Sequence, residues 1–169
     1  MQESEQEAIL LDWLSRHRGL LVKVARAFVR STADQDDLLQ EIALQVWNSI
    51  PRYKKDIAET TWLYRVAFHT AINWSRKVKS RDRVLKEYQE QLSLFQREQK
   101  DDPRVEWLYE QIGELPAIDC SLALLMLDGF SYREMSETLG ITESNVGVRV
   151  NRIKKRLAKQ FEKEKNHDL

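Results

Sequence analysis

Two stretches of this chain place cations beside groups that can stack on, or hydrogen-bond to, a nucleic-acid base. The first runs Arg52-Tyr53-Lys54-Lys55 and continues through Trp62, Tyr64 and Phe68 to His69, Asn73, Arg76 and Lys77. Rings mixed with cations suit an unpaired strand, because bases can stack while Lys and Arg follow the phosphates. Tyr53 and Lys54, on a loop, are the better candidates for base contact; Trp62 and Trp74 read as core. The second stretch holds Ser144, Asn145, Val148, Arg149, Arg152, Lys154 and Lys155. There, polar and apolar groups can meet base edges, and the late lysines can meet phosphates. Enzyme chemistry has no comparable signal. His17, His69, His167 and Cys120 do not form a metal-ligand spacing. No Gly-rich phosphate loop and no histidine-based nucleophile pair is present. The expectation is a protein without catalytic residues, metal or cofactor.

Those residues need elements to hold them. Apolar residues at helical spacing predict a helix over 8–30, with Gly19 as a break. A second helix over 37–50 puts Leu39, Ile42, Ala43, Val46 and Ile50 on one face, capped by Thr32 or Asp34 and ended by Pro51. A polar loop, 51–61, leads to a third helix with Leu63, Val66, Ala67, Thr70 and Trp74 inward and a basic end at Arg76, Lys77, Lys79, Arg81 and Arg83. Residues 81–104 are charged and Gln-rich without a broad apolar face, and read as a linker. Helices over 105–113, 116–128, 131–139 and 143–163 follow. Ser131 with Glu134 has the form of a capping box, Gly140 supplies a left-handed turn, and Thr142 caps the last helix. Met135 and Leu139 point inward, facing the stripe Val146, Val150, Ile153 and Leu157. Two helices around a Gly turn with a basic tail describe a helix-turn-helix. The fold class is therefore all-α: two small helical domains joined by a linker, 1–80, 81–104 and 105–169, the last a helix-turn-helix domain.

Composition agrees. The 169 residues are 42% hydrophobic and 32% charged, with five Gly and three Pro, too few for the turns of a sandwich or barrel. There is no apolar run long enough to insert in a membrane, no signal-peptide pattern at the N-terminus, and one cysteine, which fits a reducing cytoplasm. The formal net charge is zero, but it is unevenly spread. Residues 1–50 carry net −3, 51–86 net +7, 87–143 net −9 and 144–169 net +5. Charges further apart than about 8–10 Å are screened at physiological salt, so a polyanion meets two basic patches rather than a neutral body.

At this point the sequence resembles a family. "LDGFSYREMSETLGITESNVGVRVNRIKKRL" is similar to the C-terminal promoter-binding domain of extracytoplasmic-function sigma factors of bacterial RNA polymerase. "DQDDLLQEIALQVWNSI" and "TWLYRVAFHTAINWSRK" resemble the two core helices of that group's first domain. The resemblance spans about residues 10–160. It implies a subunit that docks on core RNA polymerase and binds promoter DNA, the C-terminal domain reading the −35 element and the N-terminal domain reading and opening the −10 element. It assigns Asp37, Gln40, Glu41, Leu44 and Gln45 to polymerase docking. By pattern alone that face is a solvated one carrying a single exposed leucine. It gives Arg52, Tyr53, Lys54, Lys55, His69, Asn73, Arg76 and Lys77 to the −10 strand, the loop capturing an unstacked base. Ser144, Asn145, Val148, Arg149, Arg152, Lys154 and Lys155 fall to the −35 duplex, with Arg149 at a base edge and Lys154 and Lys155 on phosphates. His69 and Asn73 depart from the family's usual Asn and Asp, and Gly147 and Val148 from its Lys and Ser. Gly147 permits two explanations: close backbone approach to DNA, with Val148 meeting a thymine methyl, or plain tolerance of glycine. On an anti-sigma partner the sequence is silent. The other function class left open is a stand-alone helix-turn-helix regulator that binds duplex DNA as a dimer.

Overall fold

The computed structural model describes residues 1–81 and 102–167. Those residues form eight α-helices and one 3-10 turn, with no strand among them. They fall into two compact units, Met1–Gly113 and Glu114–Leu169. The linker expected over 81–104 and the basic residue Arg83 lie almost wholly, and wholly, outside the described residues.

Unit one starts with α1 (Glu3–Arg16) and α2 (Arg18–Phe28). The helix expected over 8–30 is two helices, and the break is at His17 (φ −111°, ψ 17°) rather than Gly19. Glu59 braces this corner: its Oε2 lies 3.3 Å from His17 Nε2 and 3.0 Å from Arg16 Nη2. The next helix, α3 (Thr32–Ser49), is capped by Ser31, whose Oγ accepts the Asp34 N–H at 3.1 Å. A 3-10 turn, Ile50–Arg52, starts the loop that leads to α4 (Glu59–Arg81). The core joins Trp13 of α1, Leu21, Val24 and Ala25 of α2, Leu38, Ile42 and Val46 of α3, and Leu63, Tyr64, Ala67, Phe68 and Ala71 of α4.

Two core expectations change. On α3 Leu38 is buried together with Ile42 and Val46, and Leu39 and Ala43 are half-buried. On α4, Tyr64 and Phe68 are buried, stacked on each other with centroids 5.0 Å apart, while Val66 and Trp74 are only half-buried. The reason is that α4 packs on both α2 and α3. Its buried arc is wider than a single stripe, so Tyr64 and Phe68 leave the group of rings open to bases.

Helix α5 (Pro103–Gly113) packs on α2 within unit one, although its sequence neighbours suggest the C-terminal domain. The Arg26 guanidinium sits 4.3 Å from the centre of the Tyr109 ring, a cation–π contact. Ile112 is buried, and a Cβ on Gly113 would come 3.1 Å from the Ala27 carbonyl oxygen.

Unit two holds α6 (Ala117–Leu127), α7 (Tyr132–Leu139) and α8 (Glu143–His167). Helix α6 is buried from Asp119 to Leu125, and burial pushes the Cys120 thiol up to about 12, which keeps it un-ionised and inert. Gly129 (φ 78°) ends α6. The capping box of α7 is present: Ser131 Oγ accepts the Glu134 N–H at 3.2 Å, and Glu134 accepts the Ser131 N–H at 2.7 Å. Gly140 takes φ 68°, a left-handed conformation that a Cβ opposes. Thr142 Oγ1 then accepts the Asn145 N–H at 3.1 Å and starts α8. Val146, Val150 and Ile153 are buried, and α8 packs on both α6 and α7.

Candidate nucleic-acid interface

In unit one the 3-10 turn and the loop after it expose Arg52, Lys54 and Lys55. Tyr53 behaves differently from an open stacking ring. It is half-buried, edge-on to Trp13 (centroids 5.0 Å) and tilted on Trp62 (5.6 Å). Its hydroxyl donates to the Ile57 carbonyl at 2.8 Å, and Trp62 Nε1 donates to Ser49 Oγ at 3.2 Å. Burial, and then the carboxylates of Glu59 and Asp56, raise the Tyr53 phenol above its ordinary range. Tyr53 thus closes the base of the loop, and the two lysines are carried beyond it. A sequence pattern could not bring Trp13 to Tyr53, because they are forty positions apart.

Helix α4 lines up His69, Asn73, Arg76 and Lys77 at three- and four-residue spacing, which is one helix face. His69, Arg76 and Lys77 are exposed, and Asn73 Nδ2 lies 3.3 Å from His69 Nδ1. Arg65, half-exposed, lies one turn earlier on the same face.

Helix α3 presents Asp37, Gln40 and Leu44 as exposed, with Glu41 and Gln45 half-buried. Gln45 Nε2 donates to Glu41 Oε1 at 2.9 Å. Leu44 is 52% exposed, so it contributes little to the core and is available to a partner.

In unit two, α8 turns Ser144, Val148, Asn151 and Lys155 to the side opposite Val146, Val150 and Ile153, and all four are exposed, as are Asn145, Arg152 and Lys154. Val148 is 59% exposed, an apolar group with no packing role. Arg149 is only half-exposed and is tied at both ends. Its Nη1 donates to Asp119 Oδ1 of α6 at 2.7 Å, and its Nε to Asn145 Oδ1 at 3.0 Å. Arg149, the residue expected at a base edge, is thus engaged by an acid thirty positions away. Gly147 faces α7: a Cβ there would touch the Tyr132 ring at 3.5 Å. Tyr132 on α7 is 43% exposed. Among the described residues no group of acids, His and Cys is arranged to hold a metal ion. No helix among them is long and apolar enough to cross a membrane.

Known proteins match two successive parts of the chain, the second starting within the last helix of unit one. A family model for Sigma-70 region 2 covers residues 13–81, and one for Sigma-70 region 4 covers residues 106–157. The chain is 29% identical over 143 residues to the ECF RNA polymerase sigma factor SigX of Bacillus subtilis, spanning 79% of this chain and 74% of that protein. It is 24% identical over 159 residues to the RNA polymerase sigma factor SigV of the same organism, spanning 94% of each. Among solved structures, CnrH in complex with the cytosolic domain of CnrY aligns with TM-score 0.67 at 19% identity, over 92% of this chain and 89% of that one. The sigma factor RpoE in complex with the anti-sigma factor NepR from Bartonella quintana aligns with TM-score 0.68 at 16% identity, over 89% and 95%. At those identities the structural likeness speaks for the fold.

Proposed function

The chain belongs to the extracytoplasmic-function group of the sigma-70 family, and from that premise we propose how its surfaces divide the work. It is an RNA polymerase sigma factor: it associates with core polymerase, binds promoter DNA and directs initiation, and it is not itself an enzyme. Its place of work is the bacterial cytoplasm, where polymerase and promoter meet. A cytosolic anti-sigma factor is a further partner, as the complexes of its structural neighbours suggest.

The α3 face of Asp37, Gln40, Glu41, Leu44 and Gln45 docks on polymerase. Acidic and amide groups around one exposed apolar contact suit a basic partner helix. The loop lysines Lys54 and Lys55, with Arg52 and the α4 face of His69, Asn73, Arg76 and Lys77, take the separated −10 strand. A flipped base held on the protein offsets the unpairing cost of a few kcal/mol, and cations hold the strand by its phosphates. Tyr53 gives this loop its shape. The exposed face of α8 enters the −35 major groove: Ser144, Asn145 and Val148 meet bases, Arg152 stands beside them, and Lys154 and Lys155 take phosphates.

The observation that carries this reading is the pairing of two cationic surfaces on separate units, one beside an aromatic-pinned loop and one on a helix-turn-helix. A duplex-binding regulator gains nothing from the first. The test is a Lys54→Ala, Lys55→Ala protein, since both side chains are exposed and the fold does not depend on them. It should form holoenzyme and bind the −35 element, yet leave the thymines near −10 unreactive to permanganate. A template with a pre-melted −10 bubble should restore transcription. Wild-type thymine reactivity in the variant would refute the opening role of the loop.

A further inference from the structure

A loop that must catch an unpaired strand binds it better when its shape is set beforehand, because ordering the chain at the moment of capture is charged against binding. Helix α1 touches loop 53–58 and both of its flanks. Gln6 Nε2 donates to the Trp47 carbonyl at 2.8 Å, near the end of α3. Trp13, buried in the core, meets the ring of Tyr53 edge-on where the loop begins. Arg16 and His17 reach Glu59, the first residue of α4, where the loop ends. The helix packs on α3 and on the 3-10 turn between these points. From the loop's far side, Trp62 of α4 holds the same Tyr53 ring, and the Tyr53 hydroxyl closes the loop on the Ile57 carbonyl.

We propose that α1 is a splint for the strand-capturing loop, with Trp13 and Glu59 as positioning residues that fix its two ends so that Lys54 and Lys55 stand ready for the −10 strand. Trp13 sets the entry through Tyr53. Glu59 sets the exit by tying the start of α4 to the corner between α1 and α2. The sign of its charge makes Glu59 the informative residue. A carboxylate at the end of a cationic loop repels a polyanion, so an acid with no other task there would only weaken capture. This inference rests on the reading of loop 53–58 as part of the −10 site.

The experiment titrates holoenzymes with a labelled single-stranded −10 oligonucleotide from a promoter the wild type transcribes, and separately with a −35 duplex. The proteins are the wild type, Trp13→Phe, Glu59→Ala, Lys54→Ala with Lys55→Ala, and each of the first two variants combined with the lysine pair. Thermal melting checks each fold. Trp13→Phe and Glu59→Ala should each weaken the −10 strand about two- to tenfold, the net worth of one such contact, and leave the −35 duplex unchanged. In the protein without the two lysines, the same substitutions should cost nothing further. Glu59 has a side chain 34% exposed, so Glu59→Ala carries the test if Trp13→Phe folds poorly. Unchanged or tighter strand binding by Glu59→Ala would overturn the proposal, as would an equal loss on the −35 duplex or a loss that persists without the lysines. Wild-type strand affinity in the Lys54→Ala, Lys55→Ala protein would instead sink the underlying reading of the loop.

Discussion

Replacing Gly147 by Ala separates the two explanations for a glycine inside a recognition helix. Gly147 is the fifth residue of Glu143–His167, within the helical interior, where Gly costs about 1 kcal/mol against Ala. The added Cβ would meet Tyr132 Cε2 at 3.5 Å and Cδ2 at 3.8 Å, with nothing closer. Those are ordinary contact distances, so no strain cancels the gain. A fully buried methyl adds about 0.8 kcal/mol, and at this half-exposed site a fraction of that applies. The sum is a stabilisation of about 1–1.5 kcal/mol. For a small domain 1 kcal/mol moves the melting temperature by about 4–8 °C, so the transition of unit two should rise by roughly 5–10 °C. The methyl is directed at Tyr132 rather than along the Ser144–Val148–Lys155 face, so binding to a −35 duplex should stay within about twofold. Calorimetry of the intact chain and titration of a labelled duplex measure the two quantities. An unchanged or lowered transition would refute the packing argument. A raised transition with at least a tenfold loss of affinity would show that the glycine exists to let the backbone approach DNA.

Two further outcomes follow from the site descriptions. Gln40→Lys combined with Glu41→Lys should abolish holoenzyme assembly and leave helicity intact, with stability changed by no more than about 0.5 kcal/mol, as expected away from the core; co-elution of the double variant with core polymerase would remove α3 as the docking face. At the α7 cap, the Ser131 backbone N–H, and then its side chain, hold the Glu134 carboxyl below its ordinary 4.5. A depressed folded value means that the cap's stabilisation is complete above the unfolded value and is lost as pH falls through the folded one. The carboxyl resonance of Glu134 should therefore titrate below 4.5, and melting of a Glu134→Gln protein should be less sensitive to pH across that acid window. A Glu134 midpoint at or above the ordinary value would contradict the capping box in solution.

Local chemistry was legible around the helix-turn-helix, though not at the α1–α2 break, which is at His17, nor at the α3 cap, which is Ser31 rather than Thr32 or Asp34; long-range partnership was not. Ser131, Glu134, Gly140 and Thr142 act within a few residues of themselves, and all four take the roles their types suggest. Of the stripe Val146, Val150, Ile153 and Leu157 the first three are buried and Leu157 is half-buried, because helical periodicity is also a local property. The long-range partners are of another kind. Nothing near Arg149 in sequence announces Asp119, and nothing local to Tyr53 announces Trp13. Tyr64 and Phe68 were grouped with the rings facing a strand because the width of α4's buried arc depends on how many helices pack against it.

The place of α5 bears on how this protein can be cut apart. The helix packs on α2, its Tyr109 ring lies under Arg26, and its last residue approaches the Ala27 carbonyl. A promoter-reading fragment started at Val105, the boundary expected from the sequence, would carry most of a helix stripped of its α2 partner. A fragment started at Glu114 leaves that helix where it packs and keeps Leu115 with α6 to α8. Conversely, a fragment ended at Arg81 would uncover the patch on α2 that α5 protects. A protease cut between 82 and 101 would break the chain without removing that cover. The nicked protein should hold its two pieces together through α2 and α5 and separate only under denaturant.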